Sequence, residues 1–226
     1  EEIEPVKKGR VWWIPVFPVT HPTKKKIRLV MDSSATFHGV SLNTELLQGP
    51  DITNNLTTVL LRFREGAIGY CADIESMFHS FRLPKSDLDF TRFYWFRDND
   101  PSKEAIQYRA GVHVFGNTSS PALANVGLRY AVTHPGVKPS VKVQNFIFDN
   151  FYVDDACGSA DTEAEAIEVL SDARDLLKES NICLCKIASS SKKVLEAFPA
   201  TELASENVVE LNHSEIQRTL GMEWNT

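Results

Sequence analysis

The spacing of apolar residues predicts three helices in this chain. Over residues 52–64, 119–134 and 162–178 the apolar positions recur every three to four residues, which is the period of one helix face. Thr53 or Asn54 is expected to cap the first of these helices. The second helix opens with a serine cap followed by a proline in the first turn.

Strands are predicted where apolar residues alternate or run on for several positions. These segments are 67–73, 90–96, 105–109, 146–153 and 182–187. Turn-forming residues at 98–102 predict one hairpin, and the Ala-Cys-Gly-Ser sequence at 156–159 is interpreted as the return of a second, tight hairpin after the run at 146–153.

The N-terminal segment has a different character. Residues 1–20 alternate prolines with aromatic residues, and Pro15 and Pro18 disfavour a helix or a central strand, so we expect an extended arm there. A basic turn at residues 24–26 then enters a further strand.

The order of the elements after this arm indicates the fold class. A strand, a strand pair, a helix, a strand hairpin, a helix and a strand predict an α+β fold with a split βαβ arrangement. In such a fold the helices cover one face of an antiparallel sheet. Neither a repeat nor a clean linker divides the chain.

The composition is that of a globular protein. The 226 residues are 42% hydrophobic, enough for one sizeable core or two small ones, and no stretch is long and apolar enough to span a membrane. The chain starts with Glu1 and has no signal-peptide pattern, so we expect an intracellular segment of a longer polyprotein. The four cysteines lack the spacing of a zinc site and are expected to be reduced thiols in or near a core.

Charge is distributed unevenly along the chain. The net charge is −6, although contacts with phosphate groups need lysine and arginine. Residues 161–180 carry seven acidic and two basic side chains, a net charge of −5, whereas residues 1–30 carry seven basic and three acidic ones, a net charge of +4. This polarity fits a protein with one side that faces nucleic acid, and it is equally typical of solvated surface.

Acidic residues end two of the predicted strands. Asp154 and Asp155 follow the apolar run at 146–153, and Asp73 ends the strand at 67–73. Adjacent like charges beside apolar neighbours are unfavourable unless a cation balances them, although the pair by itself is also compatible with a solvated turn. Two strands that deliver carboxylates to one sheet edge supply what a two-metal phosphoryl-transfer site needs.

These acidic residues belong to an ordered set of motifs that resembles reverse transcriptases. The motifs are Asp73 with Phe78 five residues on, Phe115–Pro121, Tyr152–Asp155 and Leu220–Trp224. The flanking segments resemble more particularly the Bel/Pao class of long-terminal-repeat retrotransposons. These segments are Val11–Pro15, Ile27–Ala35, Ser41–Asn43, Leu47–Asp51 and Leu60–Arg64. The resemblance covers nearly the whole chain.

The resemblance implies a polymerase palm with an interleaved fingers subdomain. It divides the chain into an N-terminal arm and fingers (1–66), palm (67–89), a palm or fingers hairpin (90–112), and palm up to the primer grip (113–226), with the thumb absent. The implied activity is that of an RNA-directed DNA polymerase, which adds deoxynucleotides to a primer 3′ end by two-metal phosphoryl transfer.

Catalytic roles follow from the same resemblance. Asp73, Asp154 and Asp155, with the carbonyl of Ile74, would hold two Mg²⁺ ions, with Mn²⁺ as an alternative. Lys186 resembles the lysine thought to protonate the leaving pyrophosphate, and an ordinary surface lysine at a strand end is an equally good interpretation.

The resemblance also assigns residues that contact substrates. Those for the incoming deoxynucleoside triphosphate are Lys26, Arg28, Phe78, Phe115 and Gly116. Those for template and primer are Ser119, Ser120, Pro121, Tyr152, Gly221 and Met222. The planar fork of arginine matches phosphate oxygens, and the ring of Phe78 would occupy the space of a ribose 2′-hydroxyl. Phe115 departs from the retroviral pattern, which has glutamine there, so the contacts of that glutamine are not carried over.

Two other functions stay open from the sequence. One is a domesticated, catalytically silent palm domain that serves as a nucleic-acid or protein scaffold, and the retention of three carboxylates argues against it. The other is a different palm enzyme, an RNA-dependent RNA polymerase or a nucleotidyl cyclase, against which Phe78 and the flanking segments argue. The expected partners are an RNA or DNA template-primer, deoxynucleoside triphosphates, and the thumb, RNase H and other domains of a polyprotein. The expected location is a cytoplasmic virus-like particle, with no membrane partner.

Overall fold

A computed structural model describes residues 10–20, 27–134, 136, 138–204, 216–220 and 222–225. Apart from short 3-10 turns, its helices are α1 (Leu42–Glu45), α2 (Leu56–Arg62), α3 (Ser120–Thr133), α4 (Val141–Asp149), α5 (Glu163–Glu179) and α6 (Lys192–Glu196). Its strands are β1 (Val16–Thr20), β2 (Ile27–Met31), β3 (Ile68–Ile74), β4 (Arg92–Phe96), β5 (Ala105–Arg109), β6 (Phe151–Tyr152), β7 (Asp155–Ala160), β8 (Leu184–Ser189), β9 (Ile216–Thr219) and β10 (Met222–Asn225).

The elements group into two compact units that alternate along the chain. The first unit comprises residues 1–50 and 78–123, and the second comprises residues 51–77 and 124–226. These limits differ from the subdomain limits that the sequence resemblance implies, which stay predictions.

The first unit contains two antiparallel strand pairs. β1 pairs with β2, from Val16 opposite Met31 to Thr20 opposite Ile27, and β4 pairs with β5. The expected N-terminal arm thus includes a strand. β1 accommodates Pro18 because a two-stranded ribbon leaves each strand with one edge outside the ladder.

The second unit is built on a four-stranded antiparallel sheet in the order β6-β7-β3-β8. Neighbouring residues of β3 point to opposite faces of this sheet. The ring of Tyr70 packs on Phe146 of α4, whereas Cys71 lies in a buried cluster with Val59 of α2 and with Phe63. Asp73 lies two residues after Cys71 on the strand and therefore points to the same face as Cys71.

The prediction of a strand over 146–153 is wrong in its first half. Helix α4 extends to Asp149, and only Phe151–Tyr152 form a strand. The hydroxyl of Ser140 caps this helix by accepting a hydrogen bond from the Val143 N–H. The buried residues of α4 have the spacing of a helix face rather than the alternation of a strand: Val143, Phe146 and Ile147.

Smaller differences concern element ends. Helix α2 begins at Leu56, four residues later than predicted, with Asn55 as its cap in place of the expected Thr53 or Asn54, and β8 begins at Leu184 instead of residue 182. The other predicted helices and strands are observed with their ends shifted by one or two residues. No helix in the described ranges is long and apolar enough to cross a membrane.

Candidate active site

The pairing of β3 with β7 brings three aspartates to one end of the sheet. Asp73 on β3 lies opposite Asp155, the first residue of β7, and Asp154 occupies the preceding turn. The N–H of Ile74 donates to the Asp154 carbonyl over 2.9 Å, which ties the end of β3 to this turn. Carboxylates from two distant parts of the sequence therefore meet in one place.

A strained turn presents Asp154. Val153 and Asp154 are the two residues between Tyr152 and its strand partner Asp155. Val153 has a φ of 59°, a conformation that is rare for β-branched residues and that marks the first central position of a type II′ turn. Strain of this kind persists only where the surrounding structure enforces it.

Lys186 joins the cluster through an irregularity in the sheet. The register between β3 and β8 shifts between Cys71 and Asp73, and Lys186 adopts a φ of 52° within β8. A bulge of this kind redirects a side chain. The ammonium group of Lys186 forms an ion pair and a hydrogen bond with Oδ2 of Asp73.

Burial and like charges make the ionised carboxylates unfavourable. Burial, with added repulsion from Asp154 and Asp73, raises the pKa of Asp155 to about 6. Burial, and then the charge of Asp73, also raises the pKa of Asp154. Burial acts to lower the pKa of Lys186, but its hydrogen bond with Asp73 and the charge of that residue raise it overall. The ammonium group is therefore charged at neutral pH and balances part of the negative charge.

The donor types fit a divalent cation, although the present arrangement is not closed around one. Carboxylate and carbonyl oxygens are the ligands of Mg²⁺ and Mn²⁺, and the crowded charges of Asp73, Asp154 and Asp155 would be relieved by a cation. As the side chains stand, no three histidine, cysteine, aspartate or glutamate residues in the described part of the chain are grouped to hold a metal ion. One oxygen of Asp73 is occupied by Lys186.

In the first unit, several of the predicted nucleotide-binding residues lie around one loop. Phe78 is 8% exposed, and its ring meets the ring of Phe115 edge-on with 4.5 Å between centroids. Gly116 has a φ of 103°, and a Cβ at this position would lie 2.8 Å from the Met31 carbonyl oxygen, so glycine is required. Arg28 is exposed on β2, the strand that ends at Met31.

The residues predicted to contact template and primer differ in their exposure to solvent. Pro121 is exposed and Ser119 is partly buried, whereas Ser120 is buried and its hydroxyl donates to the Val114 carbonyl over 2.9 Å. Ser120 therefore supports the loop from inside. Tyr152 is partly buried in β6.

Three further residues were predicted to contact substrates: Lys26, Gly221 and Met222. Met222 is the first residue of β10. Lys26 and Gly221 lie outside the described residues.

Two asparagines that hold these segments were missed by the sequence analysis. The Asn54 side chain donates to the carbonyls of Phe148 and Phe151, both over 2.8 Å, and so holds the entry to β6. Asn43 holds the loop around Gly116 in the same way. A single asparagine carries no sequence signal of a partner far along the chain; Asn43 was singled out only as part of a flanking motif, and Asn54 only as a candidate helix cap.

Comparison with known proteins finds similarity at the level of structure. No family model and no curated protein matches the sequence. The chain is similar to the foamy viral protease-reverse transcriptase in complex with an RNA/DNA hybrid, with 20% identity and a TM-score of 0.53 over 76% of this chain and 20% of that chain. A dRH form in complex with double-stranded DNA gives 20% identity and a TM-score of 0.56 over 79% of this chain and 27% of that chain.

The native protease-reverse transcriptase of prototype foamy virus matches to the same degree. Its identity is 19% and its TM-score 0.53, over 76% of this chain and 20% of that chain. The chain thus spans about a fifth to a quarter of the length of these three chains. Identity at this level shows the fold alone. The predicted α+β, palm-like fold is confirmed, and the chain has a reverse-transcriptase-like fold.

Proposed function

We propose that this chain is the fingers and palm part of an RNA-directed DNA polymerase. The observation that carries the proposal is the meeting of Asp73, Asp154 and Asp155 at one end of an antiparallel sheet in a reverse-transcriptase-like fold. Further support comes from the order of the sequence motifs, and from the RNA/DNA hybrid and double-stranded DNA bound by the similar foamy viral protein. The substrates would be a template-primer and deoxynucleoside triphosphates.

The three aspartates and the Ile74 carbonyl would hold two Mg²⁺ ions, or Mn²⁺ in their place. Bound ions of this kind activate the primer hydroxyl and stabilise the leaving pyrophosphate. The register of β3 with β7 fixes where the carboxylates stand, and the turn at Val153 aims Asp154. Lys186 would move from Asp73 to the pyrophosphate and supply a proton, since its ammonium group is charged at neutral pH.

The first unit would bind the incoming nucleotide. Arg28 would hold the triphosphate, Phe78 would limit space beside the sugar, and Gly116 would let the backbone approach the base pair. Ser119 and Pro121 would contact the template or primer, with Ser120 as their internal support. A Bel/Pao retrotransposon as the source, and a virus-like particle as the location, rest on the sequence motifs.

Primer extension tests this function. The chain should extend a labelled primer on RNA and DNA templates with Mg²⁺ and deoxynucleotides. Asp154→Asn should abolish extension, because it removes a charged oxygen ligand, and it should leave the protein folded by circular dichroism. Asp172→Asn, the same change at an exposed residue of α5, should extend at the wild-type rate.

Two outcomes would contradict the proposal. Extension by correctly folded Asp154→Asn would remove this residue from the reaction. A wild-type protein that binds template-primer but extends neither template would favour the silent scaffold.

A further inference from the structure

Both the Nδ2 and the Oδ1 of the Asn43 side chain form hydrogen bonds with residues 115–118, here called the loop 115–118. Its Nδ2 donates to the Gly116 carbonyl over 2.8 Å and to the Ser34 hydroxyl over 2.9 Å. Its Oδ1 accepts the N–H of Thr118 over 2.9 Å. The N–H of Asn43 itself donates to the Ser33 carbonyl over 3.0 Å, so both ends of this contact are anchored.

The chemistry of these partners makes asparagine necessary. A backbone N–H can only donate and a backbone carbonyl can only accept, so Oδ1 must face Thr118 and Nδ2 must face Gly116. An aspartate at position 43 would have the same shape and would keep the bond to Thr118. It would, however, place a charged oxygen against the Gly116 carbonyl, which repels it.

A second contact, between two buried side chains, holds the same loop. The hydroxyl of Ser33 donates to Oδ1 of Asn117, and these residues are 0% and 6% exposed. Ser33 and Asn43, which both follow β2 in the chain, therefore hold three consecutive loop residues, from Gly116 to Thr118. The backbone of the loop is set by these contacts, and Phe115 begins the loop.

Phe115 transmits this arrangement to Phe78. The Phe115 ring is 52% exposed, yet it meets the ring of Phe78 edge-on at 4.5 Å and also approaches the ring of His79 at 5.8 Å. Phe115 and Phe78 both belong to the first unit, and the Phe115 ring flanks the Phe78 ring. A shift of the loop would withdraw this ring and leave Phe78 free to change rotamer.

We infer that Asn43 is a positioning residue that sets the choice between deoxyribonucleotides and ribonucleotides. It holds the loop 115–118 so that Phe115 keeps Phe78 in the place where a 2′-hydroxyl would lie. This inference rests on the proposed polymerase function, and it extends the specificity site to a residue that would not touch the nucleotide.

The test compares sugar choice in matched variants. Asn43→Asp should raise the ratio of kcat/KM for a ribonucleotide to kcat/KM for the matching deoxynucleotide by about tenfold. The KM for template-primer should stay unchanged. Asn99→Asp makes the same chemical change in the turn between β4 and β5, where Asn99 accepts a hydrogen bond from Trp95, and should leave the ratio as it is.

A second variant separates positioning from general damage. Phe115→Leu should raise the same ratio, and the double variant with Asn43→Asp should exceed neither single variant appreciably, because both act through one ring. Fully additive effects would overturn the coupling between these residues. Asn43→Ala removes the acceptor of the Thr118 N–H, so hydrogen exchange should show faster exchange of the Thr118 amide in that variant, and unchanged exchange would overturn the clamp.

The failure of the inference differs from the failure of the proposed function. An active Asn43→Asp with wild-type sugar choice would overturn the inference while the polymerase stands. A wild type that incorporates neither kind of nucleotide would overturn both.

Discussion

The surroundings of Asp155 oppose its negative charge. Its pKa is raised from 3.8 to about 6 by burial, and then by Asp154 and Asp73. Because the folded-state pKa lies above the unfolded-state value, the folded protein binds more protons between these two pH values. The free energy of unfolding should therefore fall as the pH rises from about 4 to about 6, and stay reduced above that.

Asp155→Asn should remove this cost in the metal-free protein. At pH 8 the variant should be more stable by about 1–2 kcal/mol, a figure that allows for partial exposure to solvent. At pH 4 the two proteins should be equally stable, and primer extension should be lost. Urea denaturation with a chelator at both pH values measures this.

Asp172→Asn is the control for the loss of one negative charge. A stability gain for Asp155→Asn that is the same at pH 4 and at pH 8 would contradict the electrostatic explanation.

Phe78 allows a direct test of sugar choice. Under the proposed function, Phe78→Val should admit ribonucleotides while deoxynucleotide incorporation is roughly preserved, because a smaller side chain leaves room for a 2′-hydroxyl. An apolar pocket by itself discriminates against an added hydroxyl by only about a hundredfold, so exclusion depends on the ring being held in place. Steady-state kinetics with matched nucleotide pairs measure the ratio of kcat/KM.

The alternative is that Phe78 is simply part of the core, as its 8% exposure allows. In that case Phe78→Val should lower stability by about 1–4 kcal/mol without a change in sugar preference. A folded, active variant with an unchanged ratio would remove Phe78 from the site.

At the scale of elements, the pairing of β3 and β7 depends on close packing between them. A Cβ on Gly158 of β7 would lie 2.7 Å from the ring of Tyr70 on β3, and Tyr70 is only 4% exposed. Gly158→Ala should therefore lower the free energy of unfolding by about 1–3 kcal/mol through overpacking. Gly111→Ala is the control, since a Cβ there meets nothing within 4 Å. Thermal or urea denaturation of both variants would decide, and equal stability would contradict this packing.

Sequence patterns predicted the elements whose apolar residues follow one clear period. They failed where the local pattern fits two structures and contacts with distant residues decide between them. Helix α5 and the β4–β5 pair follow directly from period and turn residues. Residues 146–149 are apolar enough for either state, and the Ser140 cap and the packing of α4 decide for a helix. The aspartates were found because Asp73 ends one predicted strand and Asp154 and Asp155 directly follow another apolar run. The bulge at Lys186 depends on the register of a neighbouring strand, which no local pattern contains.

At the scale of the whole molecule, each compact unit is assembled from separate stretches of sequence. The chain leaves the first unit after residue 50, returns at residue 78 and leaves again after residue 123. No change of composition marks these crossings. Boundaries of this kind are set by tertiary contacts, so the sequence could predict interleaved units but not their limits.

His113 should contribute a loss of stability of the whole molecule at acidic pH. This side chain is 8% exposed, its Nδ1 has no hydrogen-bond partner among the described residues, and burial lowers its pKa from 6.5. The unfolded chain takes up a proton below pH 6.5 that the folded protein resists. The free energy of unfolding should fall by up to about 1.4 kcal/mol per pH unit from this group as the pH drops below 6.5.

His113→Gln should flatten this dependence. Denaturation curves at pH 7.5 and 5.5 give the two free energies, and their difference should shrink in the variant. His79→Gln, at an exposed histidine, should keep the wild-type difference. An unchanged difference in His113→Gln would contradict the assignment.

The valine at the tip of the β6–β7 hairpin has a consequence for protein engineering. A designer who optimised stability alone would place glycine at position 153, because a type II′ turn favours it and the strain of valine costs about 1 kcal/mol or more. Selection for heat resistance in the laboratory should therefore find Val153→Gly early. The same change would loosen the turn that presents Asp154, so under the proposed function we expect the more heat-stable variants to extend primers more slowly.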